Sequence, residues 1–410
     1  MFRFAAAWRN RQQPTLVRAR RTWTATAIGL LFLAVATGAR GEPPGISVRL
    51  LPPPLPQSQG QTFYVSTTGS DANPGTDDLP WKTIQHAADT LQPGQIALVH
   101  GGTYVEDVTV TRNGTASDPI TISNYPDEHP VVESPKPAGR LVGAAENAYP
   151  FELVSASYVR LHGLVIQGAI GPSTANVYFA ADTHDIELSG NEIQRSADQG
   201  VYGERTTSDL QILGNSIHDN GPSSIHQSHG IYLEGAAQLI ANNVIYDNHY
   251  GYGIQIYPSA DSVLIVHNTL VGNGNTESSS GGIVLGGNSE TTVNNTRVVN
   301  NIVAFNASSG IRSFFPDWVL APKGNEAYSN VGFGDPDGDF SSWEGGGIDY
   351  SYGNVVADPR LADRFGGDFH LEEDSPAIDH AVTPYAPEND FDGTLRPCGP
   401  MPDIGAFEFC

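Results

Sequence analysis

The chain is poor in cysteine, in positive charge and in long helical periodicity. Cys398 and Cys410 are its only cysteines in 410 residues. They are too few to staple a fold and too far from any His/Cys cluster to suggest zinc. In an oxidising compartment they could close one small loop at the C-terminal end. Lysine and arginine together number 21 against 45 aspartates and glutamates, for a formal charge of −24. So acidic a surface argues against nucleic acid and anionic membranes as partners. It suits a soluble exported protein or a calcium binder, and an acidic substrate would need a locally compensated groove. Long apolar runs are also missing, with one exception. The stretch AIGLLFLAVATGA (27–39) follows a basic front of Arg9, Arg11, Arg18, Arg20 and Arg21 and ends in small residues. It is shorter than the ~20 residues that span a bilayer and reads as a secretory signal over 1–39, cut near Ala36 or Ala39. RRTW at 20–23 is a weak twin-arginine pattern. The expectation is a monomer that is secreted or periplasmic, with no membrane contact once the signal is cut. Residues 40–61 are rich in Pro and Gly and read as a linker.

One helix is expected, over 80–94 (PWKTIQHAADTLQPG), where Ile84, Ala87, Ala88 and Leu91 fit a 3.6-residue period between Pro80 and Pro93-Gly94. The rest is short strands broken by Gly, Asn, Asp and Ser, and these recur. An Asn precedes a small apolar pair at Asn191, Asn215, Asn243, Asn268 and Asn301, in steps of 24, 28, 25 and 33 residues. Five positions later stand Ser196, Asn220, Asn248, Asn273 and Asn306. A strand-opening glycine follows each: Gly200, Gly230, Gly253, Gly282 and Gly310. A period of this length with about three short strands predicts one turn of a parallel β-helix, with coils stacked at ~4.8 Å. Val201, Ile231, Ile254, Ile283 and Ile311 would form one inward column. The asparagines are expected to be structural ladders bonding the backbone of neighbouring coils. A leucine-rich repeat would need an L-x-x-L-x-L consensus, which is absent. Solenoids need closed ends, and the 80–94 helix would plug the first.

FYVSTTGSDANPGTDDLPWKTIQHAADTLQPGQIALVHGGTYVEDVTV (63–110) resembles the opening of secreted right-handed parallel β-helix proteins of the pectate-lyase superfamily. DPRLADRFGGDFHLEEDSPAIDHA (358–381) and DFDGTLRPCGPMPDIGAFEF (390–409) resemble their closing segment. The resemblance implies an all-β, single-stranded right-handed parallel β-helix over 62–380, an N-terminal capping helix, and a C-terminal capping segment over 381–410. For the reaction it says less, since the superfamily includes lyases, epimerases, hydrolases and proteins without known activity. The similar lyases use a lysine base and a calcium cluster of aspartates. Here Lys82, Lys136 and Lys323 are the only lysines, and none falls in a central coil strand. The D-P-H motif of the epimerases is absent as well.

Alternation along the glycine-opened strands yields an outward face. Two positions after each glycine stand Tyr202, Tyr232, Gln255, Val284 and Arg312. Four positions after stand Glu204, Glu234, Tyr257, Gly286 and Phe314. Glu204 and Glu234 would then pair across two coils beside two stacked tyrosines. Carboxylates that close cannot both ionise freely, so one pKa rises or a cation sits between them. The expanded turn at 218–230 and the next, at 246–253, are expected to bring His218, Asp219, His226, His229, Asp247, His249, Tyr250 and Tyr252 to the mouth of this face.

These residues suggest proton abstraction from a uronic-acid-containing polysaccharide, by β-elimination or epimerisation. His229 is the candidate base, and Tyr232 the acid, or the base when deprotonated. Arg205, or calcium held by Glu204 and Glu234 with Asp219 and Asp247, would neutralise the substrate carboxylate. Tyr202 and Tyr257 would stack on sugar rings, with His226, Tyr252 and Gln255 also lining the substrate path. DPDGD (335–339) resembles the first half of a calcium loop. One rival reading makes Glu204 and Glu234 the acid/base pair of a glycoside hydrolase. Another is a non-catalytic glycan-binding or surface protein, in which the exposed carboxylates and tyrosines are idle.

Overall fold

The computed structural model describes residues 60–135, 147–171, 173–222, 228–275, 280–343 and 345–410. The expected signal, and the linker up to residue 59, lie outside them. The described chain coils through three parallel sheets. One runs from Thr62–Val65 to Glu326–Tyr328, a second from Val108–Val110 to Phe340–Trp343, and a third from Gly102–Val105 to Val355–Val356. Each coil visits them in turn. Gln199–Gly203 lies in the second sheet, Gln211–Leu213 in the first and Ser216–His218 in the third, and Ile231–Ala236 returns to the second. Among the described residues no helix is long and apolar enough to cross a membrane.

Alternation decides what each strand buries. Val201 lies opposite Ile231, and the column continues through Ile254, Ile283 and Ile311, all fully buried in one core. Burying side chains of this size stabilises by about 1.5–3 kcal/mol each relative to exposure.

The corners are held by amides. Asn191, Asn215, Asn243, Asn268, Asn301, Asn330 and Asn354 form one ladder, each Nδ2 donating to the next Oδ1 at 2.9–3.0 Å. The same Nδ2 also donates to a backbone carbonyl of the preceding coil, as Asn243 does to Ile212 at 2.8 Å. Asn220, Asn248, Asn273 and Asn306 form a second ladder. Ser196 has no amide to extend it, and Asn176, from the same coil, donates to Asn220 instead. The strand-opening glycines belong to this corner. A Cβ on Gly230 would lie 2.7 Å from the Gly253 carbonyl and 2.9 Å from Asn248 Nδ2, and one on Gly200 would meet the equivalent atoms. Side chain and ladder cannot share that space.

The second ladder ends on Asp335, whose Oδ1 accepts from the Asn306 amide N–H at 2.7 Å and from Asn306 Nδ2 at 3.1 Å. Asp339 Oδ1 accepts the Asp335 N–H and Asp337 the Ser308 hydroxyl, while Asp335 Oδ2 is buried without a hydrogen-bond partner. The DPDGD segment is a ladder terminus and a turn. Burial pushes the Asp335 carboxyl up to about 8.

The helix is shorter than expected, Ile84–Thr90, with Thr83 Oγ1 capping the His86 N–H at 3.1 Å. It packs on Val108–Val110, the first strand of the second sheet. The closing segment differs. Residues 381–410 lie along the flank of the coils, where the sequence suggested a cap. Phe407 and Ala406 cover Val244 and Val271, and Val382 and Tyr385 cover the outer side of Leu264, Val266 and Val299. Arg396 donates to Asn242 Oδ1 and to Glu408, both ions of the pair being buried. Cys398 and Cys410 are joined by a disulfide.

Candidate functional site

The wet face of the second sheet carries a longer column than the sequence reading gave. Opposing residues run Glu152, Tyr178, Tyr202, Tyr232, Gln255, Val284, Arg312. Ring centroids lie 4.6 Å apart for Tyr149 and Tyr178, 5.5 Å for Tyr178 and Tyr202, and 5.1 Å for Tyr202 and Tyr232. Glu152 and Tyr178, on successive coils, escape the sequence reading because neither strand opens with a glycine. The signal was the alternation of Val177, Tyr178 and Phe179 in NVYF.

Glu204 and Glu234 are brought together as expected. Each follows a pair of opposed residues, Gly203 and Leu233, and the Glu204 charge helps raise the Glu234 pKa. The Tyr178 hydroxyl donates to Glu204 Oε1. Arg205 Nε donates to Glu234 Oε2 at 3.4 Å, the arginine being largely exposed and the glutamate only 12% so. Burial raises the Glu234 pKa, Arg205 pulls it back and Glu204 pushes it further up. Burial, then Glu204, raises Glu152 likewise. The tyrosines hold their protons. Burial followed by Glu234 and Glu204 puts Tyr202 at about 12, and burial followed by Glu234 raises Tyr232 as well. Tyr232 thus keeps its proton, and its expected alternative role as a deprotonated base meets two opposing forces.

Tyr257 lies on a bulge. The register against Ile231–Ala236 slips between Leu233 and Gly235, which opposes Ala260, so Tyr257 is pushed out beside Glu234, whose charge helps raise its pKa after burial. Gln255 hydrogen-bonds Tyr232.

His229 and Tyr252 do not join the wet face. The parity that turns Ile231 and Leu233 inward also turns His229 inward, and Tyr252 goes with Ile254 and Ile256. His229 is 2% exposed, its Nδ1 accepts the Tyr252 N–H at 2.8 Å, and burial drops its pKa to about 3. The expected base is a neutral ring wedged behind Tyr232, centroids 5.6 Å apart. His226 lies outside the described residues.

Asp219 and Asp247 are also placed elsewhere. They follow Ser216–His218 and Val244–Tyr246 of the third sheet, both with left-handed backbone. Asp219 bonds His218 Nδ1 at 2.9 Å, Glu192 meets His218 Nε2 at 3.3 Å, and His218 stacks on Tyr246. The four carboxylates proposed to share a calcium ion are therefore split between two faces. Among the described residues no group of three or more His, Cys, Asp or Glu is spaced to hold a metal.

An acid held up by burial, a carboxylate fixed by a tyrosine hydroxyl, and flanking aromatic faces can protonate a leaving oxygen, stabilise developing positive charge and stack on a ring. The chain is 26% identical over 396 residues to pectate lyase PEL9 of Emericella nidulans, covering 87% of this chain and 95% of that one. It is 27% identical over 324 residues to the uncharacterized protein YwoF of Bacillus subtilis, covering 71% and 67%. The crystal structure of pectate lyase Pel9A superposes with a TM-score of 0.57 at 16% identity, over 85% of this chain and 96% of that one. The family model of the Pel9A-like right-handed β-helix region matches residues 63–337, and the chain belongs to that family.

Proposed function

We propose that the protein is a secreted carbohydrate-active enzyme that cleaves a polysaccharide lying along the second sheet, with Glu204 and Glu234 as its acid/base pair. The observation that carries this is the carboxylate pair itself, adjacent on neighbouring coils, with different partners on each member. Glu234, raised by burial, gives its proton to the glycosidic oxygen as the C–O bond breaks. Glu204, oriented by the Tyr178 hydroxyl, is the anion facing the anomeric carbon. One coil spacing, ~4.8 Å, is close to the ~5–5.5 Å of retaining glycosidases. Glu204 therefore forms the covalent glycosyl intermediate, and water, deprotonated by Glu234, releases it. Tyr202 and Tyr232 supply the ring faces.

The family membership and the pectate-lyase relative favour a second reading, β-elimination on a uronic-acid chain. Arg205 would then hold the substrate carboxylate. With His229 buried and Tyr232 protonated, that reading takes a carboxylate of this face, Glu204, as the base.

Purified residues 40–410 incubated with pectate, alginate, glycosaminoglycans and neutral glycans separate the two. New reducing ends without ultraviolet absorbance support hydrolysis. An ultraviolet-absorbing unsaturated sugar overturns hydrolysis in favour of elimination. No cleavage of any polymer overturns both.

A further inference from the structure

The face that carries Glu204 and Glu234 does not stop there. Three coils past Tyr232, at about 14 Å, the same outward column reaches Arg312, and the neighbouring column reaches Phe314 opposite Trp343. Trp343 is 40% exposed and Trp318 is 60% exposed. Phe314 stands edge-on to both, with centroids 5.5 Å from Trp343 and 6.4 Å from Trp318. The residues beside them do the burying: Phe315 and Val319 are in the core. The Arg312 guanidinium carbon lies 4.5 Å from the Trp343 ring centroid. Its Nε is buried without a hydrogen-bond partner, and the Arg312 side chain hydrogen-bonds Tyr252. Between this cluster and the carboxylate pair stands Gly286. A Cβ there would lie 3.1 Å from the Tyr257 ring and 3.3 Å from Phe314, so the glycine keeps the path between the two aromatic groups low.

We propose that Arg312, Phe314, Trp318 and Trp343 form a remote subsite for the polysaccharide cleaved at Glu204 and Glu234. It takes one sugar ring several units along the chain. This rests on the reading that the carboxylate face binds glycan. Three observations fix the occupant. The cluster is continuous with the candidate site on one sheet face. Its large rings are exposed, which a solvated surface does not need, and indole faces match the apolar face of a pyranose. In a chain of net charge −24, the half-buried Arg312 holds a positive charge against the exposed Trp343 ring, which favours an oxygen acceptor of the ligand there. That acceptor is a ring hydroxyl or a uronate carboxylate. The glycan therefore runs along the coil axis, and binding energy from this remote ring serves the cleavage step.

The test uses residues 40–410 carrying E204Q and E234Q, so that ligand is not consumed, and measures affinity for trimers and octamers of galacturonate and of xylose by calorimetry. Trp343→Ala and, separately, Trp318→Ala each weaken octamer binding about tenfold and leave trimer binding within about twofold. Arg312→Gln weakens only the galacturonate octamer if the acceptor is a carboxylate, and both octamers if it is a hydroxyl. Octamer affinity unchanged in both tryptophan variants, or no octamer bound by the parent, overturns the proposal. The two readings fail separately. Cleavage by the wild type with unchanged octamer affinity in the variants defeats the subsite alone. Octamer binding lost with Trp343, in a protein that cleaves nothing, defeats the acid/base assignment alone.

Discussion

Arg205→Gln tests the electrostatics of the candidate site directly. Arg205 Nε lies 3.4 Å from Glu234 Oε2. Two unit charges at that distance attract by about 1.2 kcal/mol at the dielectric of water and by about 5 kcal/mol at an effective value of about 20. The guanidinium is more than half exposed, so screening places the interaction near the lower figure. Removing it destabilises the Glu234 anion by about 1 kcal/mol, which is about 0.7 of a pH unit. The sign follows from the chemistry. Glu234 must be protonated to donate, so its titration sets the basic limb of the kcat/KM profile. With Arg205 gone, burial and Glu204 act unopposed, the proton is held to higher pH, and the basic limb moves up by roughly 0.5–1 unit. Activity profiles of wild type and variant from about pH 4 to about pH 9, at fixed ionic strength, read this shift. A basic limb that stays in place or moves down refutes Glu234 as the acid.

Glu204→Gln and Glu234→Gln should each lower kcat by roughly 10²–10⁴ while melting temperature and circular dichroism stay unchanged; near-wild-type turnover in either removes it from the mechanism. Chelation separates the arginine from a calcium ion at the carboxylate pair. With Arg205 supplying the positive charge, turnover is unchanged by EDTA, and a loss restored by added calcium would place the ion there instead. Asn243→Ala strips the first ladder of its acceptor for the Asn215 N–H and its donor to Ile212, leaving two buried groups unpaired at about 1–3 kcal/mol each. Urea denaturation should show a loss of about 2–5 kcal/mol. Asp335 has a folded-state pKa raised to about 8 by burial, so its contribution to stability is present below its unfolded value and is lost as pH rises through about 8. Asp335→Asn keeps the acceptor for Asn306 and should flatten the decline of melting temperature between about pH 5 and about pH 9.

Much of this was legible because a solenoid repeats its own constraints. The glycine register, the two polar registers and the apolar columns each recur at one interval, so a residue misread in one coil is corrected by the next. The pair Glu204 and Glu234 followed from that register alone. What failed did so where the repeat was interrupted or extended past its strands. Tyr178 was lost because its coil opens without glycine. His229 and Tyr252 precede the run that defines the face, yet they share the parity of its buried members. Asp219 and Asp247 were assigned by closeness in sequence, although a chain turning at a ladder corner passes to a different sheet within a few residues. The flank position of residues 381–410 was beyond reach for another reason. Nothing in its own sequence says which apolar surface it covers, and the outward Leu264, Val266 and Val271 that receive it read as ordinary strand residues.

The corner where the second ladder meets the strand-opening glycines has a consequence for how such a protein changes. From Asn248 to Gly253 and from Asn306 to Gly310 the chain turns tightly, whereas from Asn220 to Gly230 and from Asn273 to Gly282 it carries extra residues. The amide bonds across these same coils are nonetheless uniform, between 2.9 and 3.1 Å. Length added there enters after one fixed point and leaves before the next, so registration is untouched. The fold thus separates an invariant frame from turns whose length is free to change, and residues can be added between ladder and strand without renegotiating stability.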